Sequence, residues 1–380
     1  MSKCDRLHAC GNKSVAVRAE SGQASDMRIC KFLTGFLALV TAIYLVGCAT
    51  SGPHQALERQ TGESVVLVGE APANLAFAPA LSEPITVRST YRDRLPQTTH
   101  YQPGQDYVLS ASGEIRRTPG SRIPDFGTNM LYGKEDFQHD QFPGFGNGRF
   151  FVYVDYAHQE KWQPPPAKAE FGVAQLPKTR QKLRAGATVR IVAFGDSITA
   201  GGDASEPSLI FWERWATALR VKYPRAGIAA TNGATGGDAT IQGLQRLEQK
   251  VLRQKPDLVL IGFGMNDHNR EGYGVPLDAF AANLRTMIAR IRASTDAEIV
   301  LFSAFPPNPK WHFGSHNMAA YADATERVAR EEHCAYADVH RCWMSQAARK
   351  KPEDLLANNI NHPNDFGHWI YFEALQATGL

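Results

Sequence analysis

The sequence predicts an α/β protein: a doubly wound parallel sheet in the C-terminal half, preceded by a small β-rich domain. Three features carry that prediction. Beyond residue 188, short apolar runs alternate with amphipathic segments of helical period. Before residue 162, β-type runs are broken by Gly and Pro and no helical period appears. Between the two lies Gln163-Pro164-Pro165-Pro166, the signature of a stiff linker. The 380 residues are 43% apolar and only 21% charged, which excludes a disordered or fibrous chain.

The front of the chain reads as an address. Arg28 and Lys31 give a basic start, and the apolar run 32–46 is short for a membrane span but suits a signal h-region. Leu45-Val46-Gly47-Cys48 closes that run and resembles the lipobox of bacterial lipoproteins. The resemblance implies that residues 1–47 are a signal peptide and that Cys48 carries lipid on a 48–61 tether. Ala49 after it implies anchoring at the outer membrane of a bacterial cell envelope. Residues 1–26 are polar and sit awkwardly before a signal peptide, so Met27 is the expected start. The formal charge of +3 arises before residue 48, so the remainder is neutral and no nucleic-acid partner is expected.

From 62 to 162 the runs SVVLVG, ITVRSTY, DYVLS, GEIRR and RFFVYVDY predict short strands of a small sandwich. Phe142, Phe145, Phe150, Phe151, Tyr153, Tyr156 and Trp162 lie here and read more readily as core than as a sugar-stacking platform. Residues 163–187 link this domain to the next, with a short helix expected around 176–183. In the domain 188–380, strands are expected at 189–194, 227–231, 258–263, 299–302 and 335–339, apolar throughout as when helices cover both faces. Phe211, Trp215, Leu219 and Tyr223 recur every four residues, and Leu277, Phe280, Leu284, Ile288 and Ile291 every three or four. Ligands of such a sheet bind beyond the carboxyl ends of the strands.

Four blocks carry the chemistry, the first three at those ends. Gly195-Asp196-Ser197 follows the first strand, where the Ser hydroxyl is placed as a nucleophile. Gly233-Ala234-Thr235-Gly236-Gly237 follows the second, where a Gly lets backbone N–H approach a developing oxyanion. Gly264-Met265-Asn266-Asp267 follows the third and offers a side-chain NH₂ for the same purpose. Asn359-Ile360-Asn361-His362 enters the last helix with a candidate general base. Asp196 and Asp267 read as loop-fixing carboxylates bonded to backbone amides. The missing second Gly of a nucleophile elbow, and the position of Ser197 on the first strand of its domain, exclude the α/β-hydrolase pattern.

Together and in this order the blocks resemble the SGNH (GDSL) hydrolase superfamily over residues 188–380, with Ser197, Gly237, Asn266 and His362 as the signature residues. The resemblance implies a three-layer α/β/α sandwich with a five-stranded, flavodoxin-like parallel sheet. It also implies an acyl-enzyme mechanism with Ser197 as nucleophile and His362 as base. Ser197 N–H, Gly237 N–H and the Asn266 amide would form the oxyanion hole, with no metal or other cofactor. One departure stands out: the family's Asp-x-x-His acid falls on Asn359. Asn359 or a backbone carbonyl could orient His362, Asp354 or Asp365 could reach it, or activity could be low.

Cys334 and Cys342 are the cysteines left beyond Cys48, and could be bridged or be two buried thiols. No spacing resembles a zinc site. His312, His316 and Trp311, after the fourth strand, are candidate pocket residues. The architecture resembles bacterial carbohydrate esterases, which implies deacetylation of a glycan ester. A lysophospholipase or short-chain acyl esterase, a periplasmic O-acetyltransferase and a non-catalytic glycan-binding lipoprotein are the alternatives.

Overall fold

The strand expected from sequence over 64–69 lies further toward the N-terminus in the folded chain and ends at Val65. Val66 N–H donates to Asp354 Oδ1 (2.8 Å) instead of pairing with a strand. The computed structural model describes residues 57–93, 95–160 and 169–380; the signal segment, Cys48, Trp162 and the Pro-rich run lie outside them. Strands β1 (Glu58–Val65), β2 (Ala73–Asn74), β3 (Thr86–Arg88), β4 (Tyr107–Leu109), β5 (Glu114–Arg117) and β6 (Val152–His158) form two antiparallel sheets ordered β1-β6-β3 and β2-β5-β4. A bulge in β1 places Gly62 at φ +66, where its N–H donates to Asp155 Oδ1 (2.6 Å). Phe150, Phe151, Tyr153 and Tyr156 are buried, as their core reading requires.

After α1 (Pro177–Ala185) the chain alternates: β7 (Val189–Gly195), α2 (Ser197–Ala200), α3 (Phe211–Lys222), β8 (Ile228–Asn232), α4 (Thr240–Lys250), β9 (Leu258–Gly262), α5 (Leu277–Ser294), β10 (Glu298–Phe302), α6 (Met318–Glu331) and β11 (Ala335–Ala337). It finishes with α7 (Val339–Ala347), α8 (Pro352–Leu355) and α9 (Asp365–Gln376). The five strands are parallel in the order β11-β10-β9-β7-β8. The central strands β7 and β9 are almost wholly buried because helices cover both faces, whereas edge strand β8 is half open to solvent. Helices α4, α5 and α6 pack in succession, as do α3, α9 and α7, which gives the three layers. Winding reverses between β7 and β9, so the crevice beyond their carboxyl ends is the topological switch point.

Residues 57–380 belong to one compact unit with a shared core. Val65, Leu67, Val154 and Tyr156 of the β-rich part join the same cluster as Leu355, Phe366 and Tyr371 of the α/β part. Glu63 and Ser64 of β1 anchor that seam. Lys350 Nζ lies 2.6 Å from Glu63 Oε1 with both side chains fully buried, and Tyr156 OH donates to Glu63 Oε2 at 2.5 Å. Ser64 Oγ donates to Asp354 O (2.6 Å), which ties β1 to α8 just before the His362 loop. Cys334 and Cys342 are free buried thiols, not a bridge. Cys334 precedes β11 and contacts Arg292 and Glu332, while Cys342 is buried on α7, so the seven intervening residues put the sulfurs in separate environments. Burial pushes both thiols up to about 12, which keeps them protonated.

Candidate active site

Strand β7 delivers Ser197 to the crevice. Gly195 ends the strand, where a side chain would strike Gly262 O and Thr199 Oγ1, and Asp196 turns the chain into α2. The Asp196 carboxylate caps that helix by accepting Ile198 N–H (3.0 Å). Its burial raises its pKa to about 7 despite that bond. Asp196 thus fixes the loop, as its position implied. Ser197 is the first residue of α2, so its N–H has no partner within the helix.

His362 arrives on a turn built from asparagines. Asn358 Oδ1 accepts the N–H groups of Ile360 (3.0 Å), Asn361 (2.9 Å) and His362 (2.9 Å), and Asn364 caps α9 by accepting Gly367 N–H (3.0 Å). The result is one line of hydrogen bonds. His362 Nε2 lies 2.8 Å from Ser197 Oγ, and His362 Nδ1 lies 2.8 Å from Asp203 Oδ2. A carboxylate only accepts, so Nδ1 carries the proton and Nε2 is left to accept from the serine hydroxyl.

The partner of His362 Nδ1 is therefore Asp203, and the expectation that Asn359 orients the imidazole is corrected. Asn359 is buried with its backbone at φ +58. Its Oδ1 faces the amides of Asn147 (3.4 Å) and Asn308 (3.4 Å), and its carbonyl accepts from Asn308 Nδ2 (2.9 Å). Asp354 and Asp365 do not reach the imidazole either: Asp354 accepts from Val66 and Lys351, Asp365 from Ser205. Asp203 sits at φ +60, a conformation that Asp tolerates, on a turn closed by Ala204 N–H to Gly201 O (3.1 Å). Gly202 packs against the imidazole edge, where an added Cβ would lie 2.9 Å from Nδ1. Only the missing acid at 359 hinted at this arrangement from sequence.

The residues expected to donate to an oxyanion stand on the loops that follow β8 and β9. Gly237 stands at φ +79 with open space around its Cα, and its N–H bonds to no described residue. Asn266 Nδ2 donates to Asp238 O (2.9 Å), which holds the side chain beside the Gly236-Gly237 loop. Asp267 braces both loops by accepting Thr240 N–H (2.9 Å), Thr240 Oγ1–H (2.5 Å) and Gly264 N–H (3.1 Å), and burial raises its pKa to about 6. The loop after β10 is used structurally. Trp311 is buried with its Nε1–H on His139 Nδ1 (3.1 Å), His312 meets Asp136 (3.1 Å), and His316 lines a separate cavity with His340.

A hydroxyl, an imidazole and a carboxylate in line at the switch point of a parallel sheet define a serine hydrolase centre. The chain belongs to the GDSL-like lipase/acylhydrolase family, which matches residues 193–370, and it is an SGNH-type carboxylic ester hydrolase. An arylesterase of Vibrio mimicus is 32% identical over 186 residues, covering 48% of this chain and 85% of that protein. An acetylxylan esterase of Geobacillus stearothermophilus is 24% identical over 208 residues, covering 50% and 94%. The crystal structure of a two-domain esterase active on acetylated mannans matches with a TM-score of 0.45 and 23% identity over 54% of this chain and 53% of that one.

Proposed function

We propose that this esterase removes acetyl groups from a carbohydrate by double displacement, with Ser197, His362 and Asp203 as its triad. The observation that carries the mechanism is the line Ser197 Oγ, His362 Nε2 and Nδ1, Asp203 Oδ2, with 2.8 Å at each hydrogen bond. Ser197 Oγ attacks the ester carbonyl as its proton passes to His362 Nε2. Asp203 holds the imidazole tautomer and offsets the imidazolium charge. The oxyanion is held by Ser197 N–H, Gly237 N–H and Asn266 Nδ2, each donor being worth roughly 2.7–4 kcal/mol where one has been deleted. Collapse expels the sugar alcohol, which takes the proton from Nε2. Water, deprotonated by His362, then attacks the acetyl-serine and releases acetate, and the serine oxygen regains its proton.

Kinship with the acetylxylan esterase supports an acetylated glycan. A cell-envelope location on a Cys48 lipid belongs to the same proposal and is tested by lipid labelling of the wild-type chain against Cys48→Ala. The activity is tested by acetate release from acetylated xylo- and manno-oligosaccharides with residues 49–380. Release that vanishes in Ser197→Ala is expected. Release of longer acyl chains from lysophospholipids in preference, or transfer of acetyl to a sugar acceptor, would replace the reading.

A further inference from the structure

A cleft of about 460 Å³ opens beside the triad, between the loop that follows β3 and the turn that carries Asp203. Tyr91, Arg92, Gln97, Phe151, Asp203 and Glu206 are among its lining residues. Half-buried Tyr91 packs edge-on against Tyr153, which lies buried with Phe151 beneath it, so Tyr91 is the aromatic face that the cleft presents. Its rim is charged: Arg92 Nε bonds Glu206 Oε2 (2.5 Å) and Arg92 Nη2 bonds Ser208 Oγ (2.7 Å), with the Arg92 side chain 47% exposed. Asp203 belongs to both places. One carboxylate oxygen takes His362 Nδ1, and the other bonds to no described residue and is free to accept a hydroxyl.

The chemistry says which part of an ester belongs there. The leaving alcohol must receive its proton from His362 Nε2, so it lies on the imidazole side of Ser197, while the carbonyl oxygen lies toward Gly237 and Asn266. The cleft meets the triad at Asp203, on the far side of the imidazole from Ser197, so it is placed for a part of the alcohol portion that extends past the imidazole from the reacting oxygen. An aromatic face with convergent charged and amide groups at the rim suits a hydroxylated ring, which has an apolar C–H face and polar edges. We propose that this cleft, half of it built by the N-terminal β segment, is the subsite for a sugar ring of the ester's alcohol portion. The assignment rests on the glycan-esterase reading above.

Gly148 lines this cleft and a Cβ added there would meet no atom within 4 Å, so Gly148→Trp is the substitution chosen to occupy it. The test compares kcat/KM for acetylated xylo- and manno-oligosaccharides with that for p-nitrophenyl acetate, in Gly148→Trp and in Arg92→Ala. Expected is a loss on the oligosaccharide at least about tenfold greater than the loss on p-nitrophenyl acetate, and carried mainly by KM. Equal losses on both substrates in both variants, or no loss on either, would overturn the subsite. A wild-type protein that cleaves p-nitrophenyl acetate but no acetylated glycan would instead overturn the glycan reading itself. Deacetylation by the wild type with undiscriminating variants would leave that reading standing and remove the cleft from it.

Discussion

His362 Nδ1 is bonded to Asp203, which follows the nucleophile Ser197 by a single turn of loop, while Asn359, three residues before the histidine, is bonded away from it to Asn147 and Asn308. The carboxylate that meets the imidazole thus stands on the serine's turn and not on the histidine's. Asn359 helps tie the β-rich part to the histidine loop, since its partner Asn147 Nδ2 also donates to Leu356 O (2.9 Å).

Gly202 follows from this arrangement. A Cβ there would crowd His362 Nδ1 (2.9 Å) and Cε1 (3.0 Å), and the backbone oxygen of Ser197 (2.9 Å). Gly202→Ala is expected to lower kcat roughly a hundredfold by displacing the imidazole, with little change in KM. Steady-state kinetics with p-nitrophenyl acetate read this, and a kcat within about threefold of wild type would mean that the turn yields.

Asn266→Ala removes a side-chain donor whose place is fixed by Asp238 O at 2.9 Å. A fall in kcat of roughly 10²–10³ is expected, the range for loss of one oxyanion donor. A loss confined to KM would place Asn266 in ground-state binding.

Asp196 gives a pH signature in stability. Burial raises its folded pKa from 3.8 to about 7, so between those values the folded state holds a proton that the unfolded state has released. Stability attributable to Asp196 is therefore full below about pH 4, falls as pH rises by at most about 1.4 kcal/mol per unit, and levels off above the folded pKa. Asparagine keeps the helix cap and has no proton to lose. Urea denaturation from about pH 4 to 8 should show Asp196→Asn gaining on the wild type as pH rises. A constant difference would mean that Asp196 is ionised throughout.

The seam between the two parts rests on Glu63 and Lys350, both fully buried. Lys350→Met leaves the Glu63 charge without its partner and is expected to cost about 3–5 kcal/mol in chemical denaturation. Glu63→Gln added to it should recover much of the loss. A cost below about 1 kcal/mol would show that water reaches Glu63.

The sheet was legible because β7, β9 and β10 are covered on both faces, which leaves uninterrupted apolar runs between turn residues. The serine, glycine, asparagine and histidine blocks were legible because each follows a strand or enters a helix of that sheet. Asp203 was not, since its role depends on a left-handed turn at φ +60 and on a contact with a residue far along the chain. Spacing pointed to Asn359 as the orienter, but spacing does not record that its oxygen faces two other amides. β1 stops short of the apolar run that marked it because a buried carboxylate, Asp354, captured Val66 N–H.

The most direct measurement is kcat for p-nitrophenyl acetate in Asp203→Asn beside Asn359→Asp. A fall of roughly 10³–10⁴ is expected in Asp203→Asn, as for loss of a triad acid, and a far smaller change in Asn359→Asp. An Asp203→Asn enzyme within tenfold of wild type would contradict Asp203 as the triad acid, and His362 would then have to be oriented by another group.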